Sequence, residues 1–277
     1  MAAGVLHIVA TPIGNLGDLS DRARETLGAV DLVVAEDTRR TGRLLQAIGV
    51  RATMRSFFEG NERSRTPAIV RELVDGRSVA LVSDGGMPLV SDPGYRLVAA
   101  CIEAGVEVRV VPGPSAVLAA LVVSGLPTDR FSFEGFLPRT GGERRARLAA
   151  VAHDPRTMVF FESPRRVPGM LRDLLATVGD RRVALCRELT KLHEEVRRGT
   201  VAEVLASVEG VPLRGEVVVV VEGDREGAPV DMQAAVASAR ALVADGVRKR
   251  EAAHAVADRL GISANAVYRA LLDADAP

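Results

Sequence analysis

Apolar residues along the chain fall into two kinds of run, and their alternation sets the first expectation about the fold. "VLHIVA" (5–10), "DLVVAED" (31–37), "SVALVSD" (78–84) and "VEVRVVPG" (106–113) are short and rich in valine, leucine and isoleucine. "ATMRSFF" (52–58) is a weaker run of the same kind. Between them lie stretches with helical spacing, at 20–29, 41–48, 65–75 and 95–105. Strands buried on both faces read as continuous apolar runs, and strands alternating with helices predict a parallel α/β sheet.

Near 128–138 the pattern changes. An aromatic-rich run, "FSFEGF", leads through a basic loop into a helix. It is followed by "TMVFFESP" (157–164), "RRVALCREL" (181–189), "EEVRRGTVAEVL" (194–205) and "GEVVVVVEG" (215–223), which predict further strands and helices with more solvent-facing alternation. The stretch 224–233 reads as a linker by composition. Residues 234–273 hold no β-like run and predict three short helices. The expected organisation is an N-terminal α/β domain at 1–117, a second α/β domain at 118–223, the linker, and a small helical domain at 234–277. In the last of these, "RKREAAHAVADRLGISANAVYRALL" has the form of a helix-turn-helix: an apolar face of Ala252, Ala253, Val256 and Leu260, a turn at Gly261, and a second helix capped by Ser263 and carrying Val267, Leu271 and Leu272.

Three loops after predicted strands have unusual chemistry: "ATPIGNLGD" (10–18), "SDGGMPLVSDPG" (83–94) and "PGPSA" (112–116). Ligands of open parallel sheets bind outside the carboxyl ends of the strands, so these loops are expected to converge on one site. Glycine lets backbone groups approach a ligand closely, and proline stiffens a loop without needing an N–H partner. Neither G-x-G-x-x-G nor the P-loop pattern occurs, which points to a nucleoside-type ligand held by backbone amides and carbonyls.

Composition narrows the picture only a little. Lys+Arg and Asp+Glu balance at 36 each, so any nucleic-acid site must be a local basic cluster. Cys101 and Cys186 sit in apolar stretches without metal-ligand spacing and read as buried, reduced thiols; no metal is expected. No window approaches the ~18 consecutive apolar residues of a membrane span, and the first residues lack a basic segment ahead of an apolar one. A cytoplasmic protein without a membrane partner is expected.

Six motifs, "VATPIGNLGDLS", "AEDTRRTGRLL", "LVSDGGMPLVSDPG", "VPGPSA", "FFESPRR" and "CRELTKLHEEVRRGT", together resemble the tetrapyrrole-methylase-like family of S-adenosylmethionine (SAM) methyltransferases. Within it, they resemble the branch that methylates the ribose 2′-hydroxyl of a cytidine in the decoding region of 16S ribosomal RNA. The resemblance spans residues 5–223. It implies two α/β domains of the tetrapyrrole methylase type with SAM in the cleft between them, a homodimer, and 16S rRNA or the small ribosomal subunit as partner. Carried over by motif, the cofactor residues are Pro12, Asp84, Gly85, Gly86, Met87, Val90, Ser115, Ala116, Phe161 and Glu216. The family commonly has Ala-Gly-Thr-Pro where this chain has Gly85-Gly86-Met87-Pro88, which removes a threonine hydroxyl from that loop.

A ribose hydroxyl needs a general base or electrostatic help to become a nucleophile. By motif position the reaction centre is expected at Asp37 with Arg39, supported by Glu162 and Lys191. Each has a plain structural alternative. Glu36 or Asp37 can cap the following helix, Lys191 and Glu194 can form a solvated pair, and Arg165 can bridge to Glu162. For RNA, "PRTGGERRARL" concentrates Arg139, Arg144, Arg145 and Arg147, with Arg165 nearby in the other motif; the alternative is an ordinary solvated basic face. A tetrapyrrole or other small-molecule acceptor, and a non-enzymatic helix-turn-helix regulator sensing a nucleoside, are the competing readings. The basic loop and an aromatic content of only 3% weigh against a flat macrocycle pocket.

Overall fold

The computed structural model describes residues 3–224, 232–260 and 263–274. It divides into two compact units, Met1–Ala152 with Arg156–Glu222, and His153–Pro155 with Gly223–Pro277.

The larger unit contains two five-stranded sheets. The first is parallel throughout, formed by β1 (Val5–Val9), β2 (Leu32–Ala35), β3 (Met54–Ser56), β4 (Val79–Val82) and β5 (Glu107–Val111) in the order β3-β2-β4-β1-β5. Alternate side chains of each strand enter different cores. Leu32 and Val34 pack with Ile69 and Leu73 of α3 (Glu59–Val74) and Leu97 and Cys101 of α4 (Tyr95–Glu103). Val33 and Ala35 pack with Ala23 and Leu27 of α1 (Asp21–Ala29) and Leu45 of α2 (Thr38–Ala47). Burial on both faces is why these strands read as unbroken apolar runs. Strand order matters for function here: β4, β1 and β5 are adjacent, so the loops at 83–94, 10–18 and 112–116 leave from neighbouring carboxyl ends.

The second sheet has the order β6-β7-β10-β8-β9, built from β6 (Phe131–Phe136), β7 (Thr157–Glu162), β8 (Arg182–Arg187), β9 (Glu195–Thr200) and β10 (Val217–Val221). Only the β6–β7 pair is parallel. One face carries α6 (Gly141–Ala150), α7 (Val167–Val178) and α8 (Val201–Val208), through Leu148, Met170, Leu171, Leu174 and Val204. The other carries α5 (Ala116–Ser124), whose Val117, Ala120 and Leu121 lie on Val159, Ala184, Val218 and Val220. The expected solvent-facing alternation is absent from β7, β8 and β10, which are largely buried because α5 covers the face that would otherwise meet water; exposure is concentrated in the edge strands β6 and β9. Helices α2 and α3 start earlier than their apolar spacing suggests. Asp37 caps α2 at residue 38, and the first turns of α3 are polar.

The smaller unit holds α9 (Met232–Ala244), α10 (Lys249–Leu260) and α11 (Ala264–Asp273). Small residues, Ala235, Ala239, Ala252 and Ala253, let these helices approach around Val256, Val267 and Leu271. Leu260 and Leu272, expected on the apolar face, are both exposed. Ser263 stands at the N-cap of α11 without a side-chain cap bond; its carbonyl accepts the N–H of Val267. The expected Gly261 turn and most of the expected linker lie outside the described residues. No helix among the described residues is long and apolar enough to cross a membrane.

Candidate active site

The three loops of the first sheet line a cavity of about 710 Å³, closed on its other side by residues of the second sheet. The loops brace one another through backbone pairing. Thr11 and Gly86 exchange N–H···O bonds at 2.9 Å in both directions, an isolated bridge that ties the first loop to the second. Gly86 has φ +90°, and a Cβ there would meet Ile13 Cγ2 at 3.3 Å, so both conformation and space call for glycine. Among the described residues, four non-glycine residues have positive φ: Leu89, Ser91, Glu188 and Thr190. Both pairs belong to loops on the cavity wall, where backbone strain is characteristically stored.

Charged side chains from both sheets meet at the cavity. Lys191 Nζ donates to Glu188 Oε1 at 2.8 Å and Glu216 Oε2 at 3.1 Å. Arg40 Nη1 donates to Asp84 Oδ2 at 3.1 Å, and its Nη2 lies 3.9 Å from Glu216 Oε1. Partial burial works against the charge on Lys191, yet its two carboxylate partners outweigh this and hold its pKa above the usual range. The same contact, led by the Lys191 hydrogen bond, lowers that of Glu188. Asp92 goes the other way: burial raises its pKa and outweighs the opposing pull of the Ser83 hydroxyl, and the charge of Asp84 adds a smaller rise. Glu36 is raised similarly, by burial and then by Asp92 and Asp84.

All ten residues expected at a cofactor line this cavity: Pro12, Asp84, Gly85, Gly86, Met87, Val90, Ser115, Ala116, Phe161 and Glu216. So do Glu162 and Lys191. Asp37 and Arg39 do not. Asp37 is the N-cap of α2, accepting the Arg39 N–H at 2.8 Å, and that hydrogen bond lowers its pKa. The Arg39 side chain is 85% exposed. One residue further on, Arg40 reaches the cavity instead, while the Asp37 backbone N–H donates to Asp84 Oδ1 at 3.1 Å. Asp37→Ala is therefore expected to lower the melting temperature by a few degrees through the lost cap, with kcat within about threefold of wild type in a methyl-transfer assay. Asp92, three residues before α4, lines the cavity and does not cap that helix. The cap is supplied by Glu62 of α3, which accepts N–H groups of Gly94 and Arg96 at 3.0 and 3.1 Å.

Glu162 is 2% exposed, hydrogen-bonded through one oxygen and ion-paired through the other. Oε1 accepts the Ser163 N–H at 2.7 Å, and Oε2 lies 3.1 Å from Arg166 Nη2. The ion pair is with Arg166, not Arg165, because four residues bring the side chain back over the turn. Arg166 also donates to the carbonyls of Leu137 and Pro138 at 2.7 and 2.8 Å, clamping the loop after β6 to the loop after β7. Burial raises the Glu162 pKa. Arg166 balances its charge, while Oε2 accepts no hydrogen bond among the described residues and the residue lines the cavity.

The basic cluster is less available than its sequence implies. Arg144 is only 13% exposed and bound to Asp173 of α7, which also draws in Arg145 at 3.5 Å. Arg147 pairs with Glu134 at 2.7 Å. Arg139 and Arg165 are exposed and make no ion pair among the described residues. Cys101 and Cys186 are buried, which pushes their thiols up to about 11 and about 12. Among the described residues no group of His, Cys, Asp or Glu could hold a metal ion.

The cavity fits a nucleoside with an amino-acid tail. Its volume is in the range of ligand pockets, Ile13, Val90, Val117 and Val218 contribute apolar lining, and Gly85 is exposed on the wall without a side chain. Carboxylates of Asp84, Asp92 and Glu216 suit hydroxyls, an amino group and a positive centre.

The chain belongs to the Tetrapyrrole (Corrin/Porphyrin) Methylases, whose family model matches residues 5–205. Within that class it is similar to relatives called Ribosomal RNA small subunit methyltransferase I. The Mycobacterium tuberculosis (strain CDC 1551 / Oshkosh) protein is 46% identical, covering 98% of this chain and 96% of its own. The Escherichia coli O157:H7 protein is 44% identical, over 98% and 95%. The Thermotoga maritima protein is 50% identical over 79% of this chain and 99% of its own. Solved structures share the fold: diphthine synthase (TM-score 0.59, 17% identity, covering 79% of this chain and 89% of that one) and uroporphyrin-III C-methyltransferase from Thermus thermophilus complexed with S-adenosylhomocysteine (0.55, 22%, 79% and 97%).

Proposed function

We propose that this protein is a SAM-dependent methyltransferase that 2′-O-methylates a cytidine ribose in the 16S RNA of the small ribosomal subunit. The observation that carries this reading is the cavity itself. Glycine-lined loops from three adjacent strand ends face an ion network of Arg40, Asp84, Lys191 and Glu216, in a chain nearly half identical over its whole length to rRNA methyltransferases. In this reading SAM lies against the Asp84–Val90 and Ser115–Ala116 loops, and bound there it supplies a sulfonium methyl whose thioether leaves without a proton. What remains for the protein is to orient the acceptor hydroxyl and manage its charge. Asp92, a cavity carboxylate with raised proton affinity that is held in no ion pair among the described residues, takes the hydroxyl proton, and Lys191 stabilises the negative charge that develops on the oxygen. Glu162 and Arg166 hold the loops that present the acceptor.

The reading places the protein in the cytoplasm with the small subunit, and assigns residues 1–117 and 118–223 as the two halves of the methyltransferase. The family resemblance adds a homodimer. Incubation with labelled SAM and, separately, small ribosomal subunits, naked 16S RNA and a porphyrinogen tests the acceptor. Label at a cytidine 2′-O position in RNA is expected; label in the porphyrinogen alone would assign the second acceptor class.

A further inference from the structure

This chain is poor in aromatic residues, with seven phenylalanines, two tyrosines and no tryptophan. Three of the phenylalanines nonetheless meet at one edge of the cavity. Phe133 and Phe136 both contact Phe161 edge-on, with ring centroids 4.9 and 5.6 Å away. Residues three apart on a regular strand face opposite sides of the sheet. Phe133 and Phe136 share a side because β6 is bulged. Phe133 pairs with Val159 but Gly135 pairs with Phe160 and Phe136 with Phe161, so one extra residue is absorbed between them. Gly135 has φ +64°, a conformation glycine takes without strain. The bulge re-aims Phe136 into the cavity wall, where it remains 57% exposed.

The loops that follow Phe136 and its partner Phe161 each carry an exposed arginine. The clamp from Arg166 to the carbonyls of Leu137 and Pro138 brings the loop after β6 against the loop after β7. Arg139 and Arg165 are each one residue from this clamp, and they are the arginines of the two motifs left without a carboxylate partner. An exposed aromatic face beside unpaired guanidinium groups is the arrangement by which proteins hold unstacked bases and their phosphates.

We propose that Phe136 is the platform on which a nucleobase of the acceptor RNA stacks, with Arg139 and Arg165 contacting the flanking phosphates. This rests on the RNA reading above and specifies how the target strand is held. The ring is 57% exposed and packs on Phe161, whereas most of the residues expected at SAM lie on the glycine loops. The competing source of a stacking base is the adenine of the cofactor.

The absence of tryptophan makes the test direct. Phe136→Trp introduces a single indole, to be titrated with S-adenosylhomocysteine and with an RNA oligonucleotide of the 16S decoding region. Quenching by RNA and none by S-adenosylhomocysteine is expected. Phe136→Ala is expected to raise the Kd for the same RNA about 10- to 100-fold, with S-adenosylhomocysteine binding and melting temperature unchanged. Charge reversal at Arg139 and Arg165 should weaken RNA binding and flatten its salt dependence. Quenching by S-adenosylhomocysteine alone, quenching by neither, or an unchanged RNA Kd in Phe136→Ala overturns the proposal. If the wild-type protein methylates small-subunit RNA while Phe136→Ala binds it normally, the platform fails and the function stands. If the wild type methylates no RNA, both fail.

Discussion

Asp92→Asn is expected to lower kcat about 10²- to 10⁴-fold, the range typical of a lost general base, with little change in SAM affinity. The carboxylate lies on the cavity wall in a loop held under strain at Leu89 and Ser91, so its placement is imposed by the fold. Burial and the nearby Asp84 charge raise its pKa, which moves proton affinity toward the working range of a base. The acid limb of the kcat–pH profile should accordingly fall above ~3.9, the value of an ordinary aspartate, and should vanish in the variant. Stability supplies an independent check. A carboxyl group whose pKa is raised on folding stabilises the fold fully only below its unfolded pKa, and that contribution is lost as pH rises through the folded value. At neutral pH the ionised Asp92 therefore opposes folding, and Asp92→Asn should melt at or above the wild-type temperature while being inactive. Full kcat in Asp92→Asn would remove Asp92 from the chemistry, and a lower melting temperature together with lost activity would indicate a structural role.

The sequence made the cavity legible for a physical reason. Parallel strands covered on both faces cannot hide their apolar character, and ligand loops of such sheets leave from carboxyl ends. Thus Pro12, Asp84–Val90 and Ser115–Ala116 could be placed together before any coordinates, and the adjacency of β4, β1 and β5 accounts for their convergence. What was not legible depended on partners distant in the chain or on a shift of one residue. Asp37, Arg39 and Arg40 are a few positions apart, and only the start of α2 at Thr38 decides which of them caps and which reaches Asp84. Glu62 caps α4 from 32 residues away. Arg144 is silenced by Asp173, 29 residues on. Phe136 does have a local signal: a glycine inside the aromatic strand "FSFEGF" marks a bulge, and the bulge decides which ring faces the cavity.

Lys191→Met is expected to lower kcat by about 10²- to 10³-fold, the loss seen when one preorganised donor to a developing oxyanion is removed. The side chain is positioned from both sheets. Its stem presses on the first loop so closely that a Cβ at Gly14 would lie 2.4 Å from Lys191 Cγ, while Nζ is held by Glu188 and Glu216. Because its pKa is raised, Lys191 stays protonated through neutral pH and acts as a fixed positive charge, not as a base. The same geometry offers a plainer role, in which the lysine merely neutralises two carboxylates that would otherwise repel. A double variant separates the two. If Lys191 only balances charge, neutralising its more exposed partner in Lys191→Met/Glu216→Gln should restore activity toward that of Glu216→Gln alone. If its charge is used in the transition state, the double variant should remain as slow as Lys191→Met, with binding of S-adenosylhomocysteine following the Glu216 change only. Persistence of the 10²-fold defect after the carboxylate is neutralised is the outcome the geometry predicts, because a charge used in the reaction is not replaced by removing its counterion.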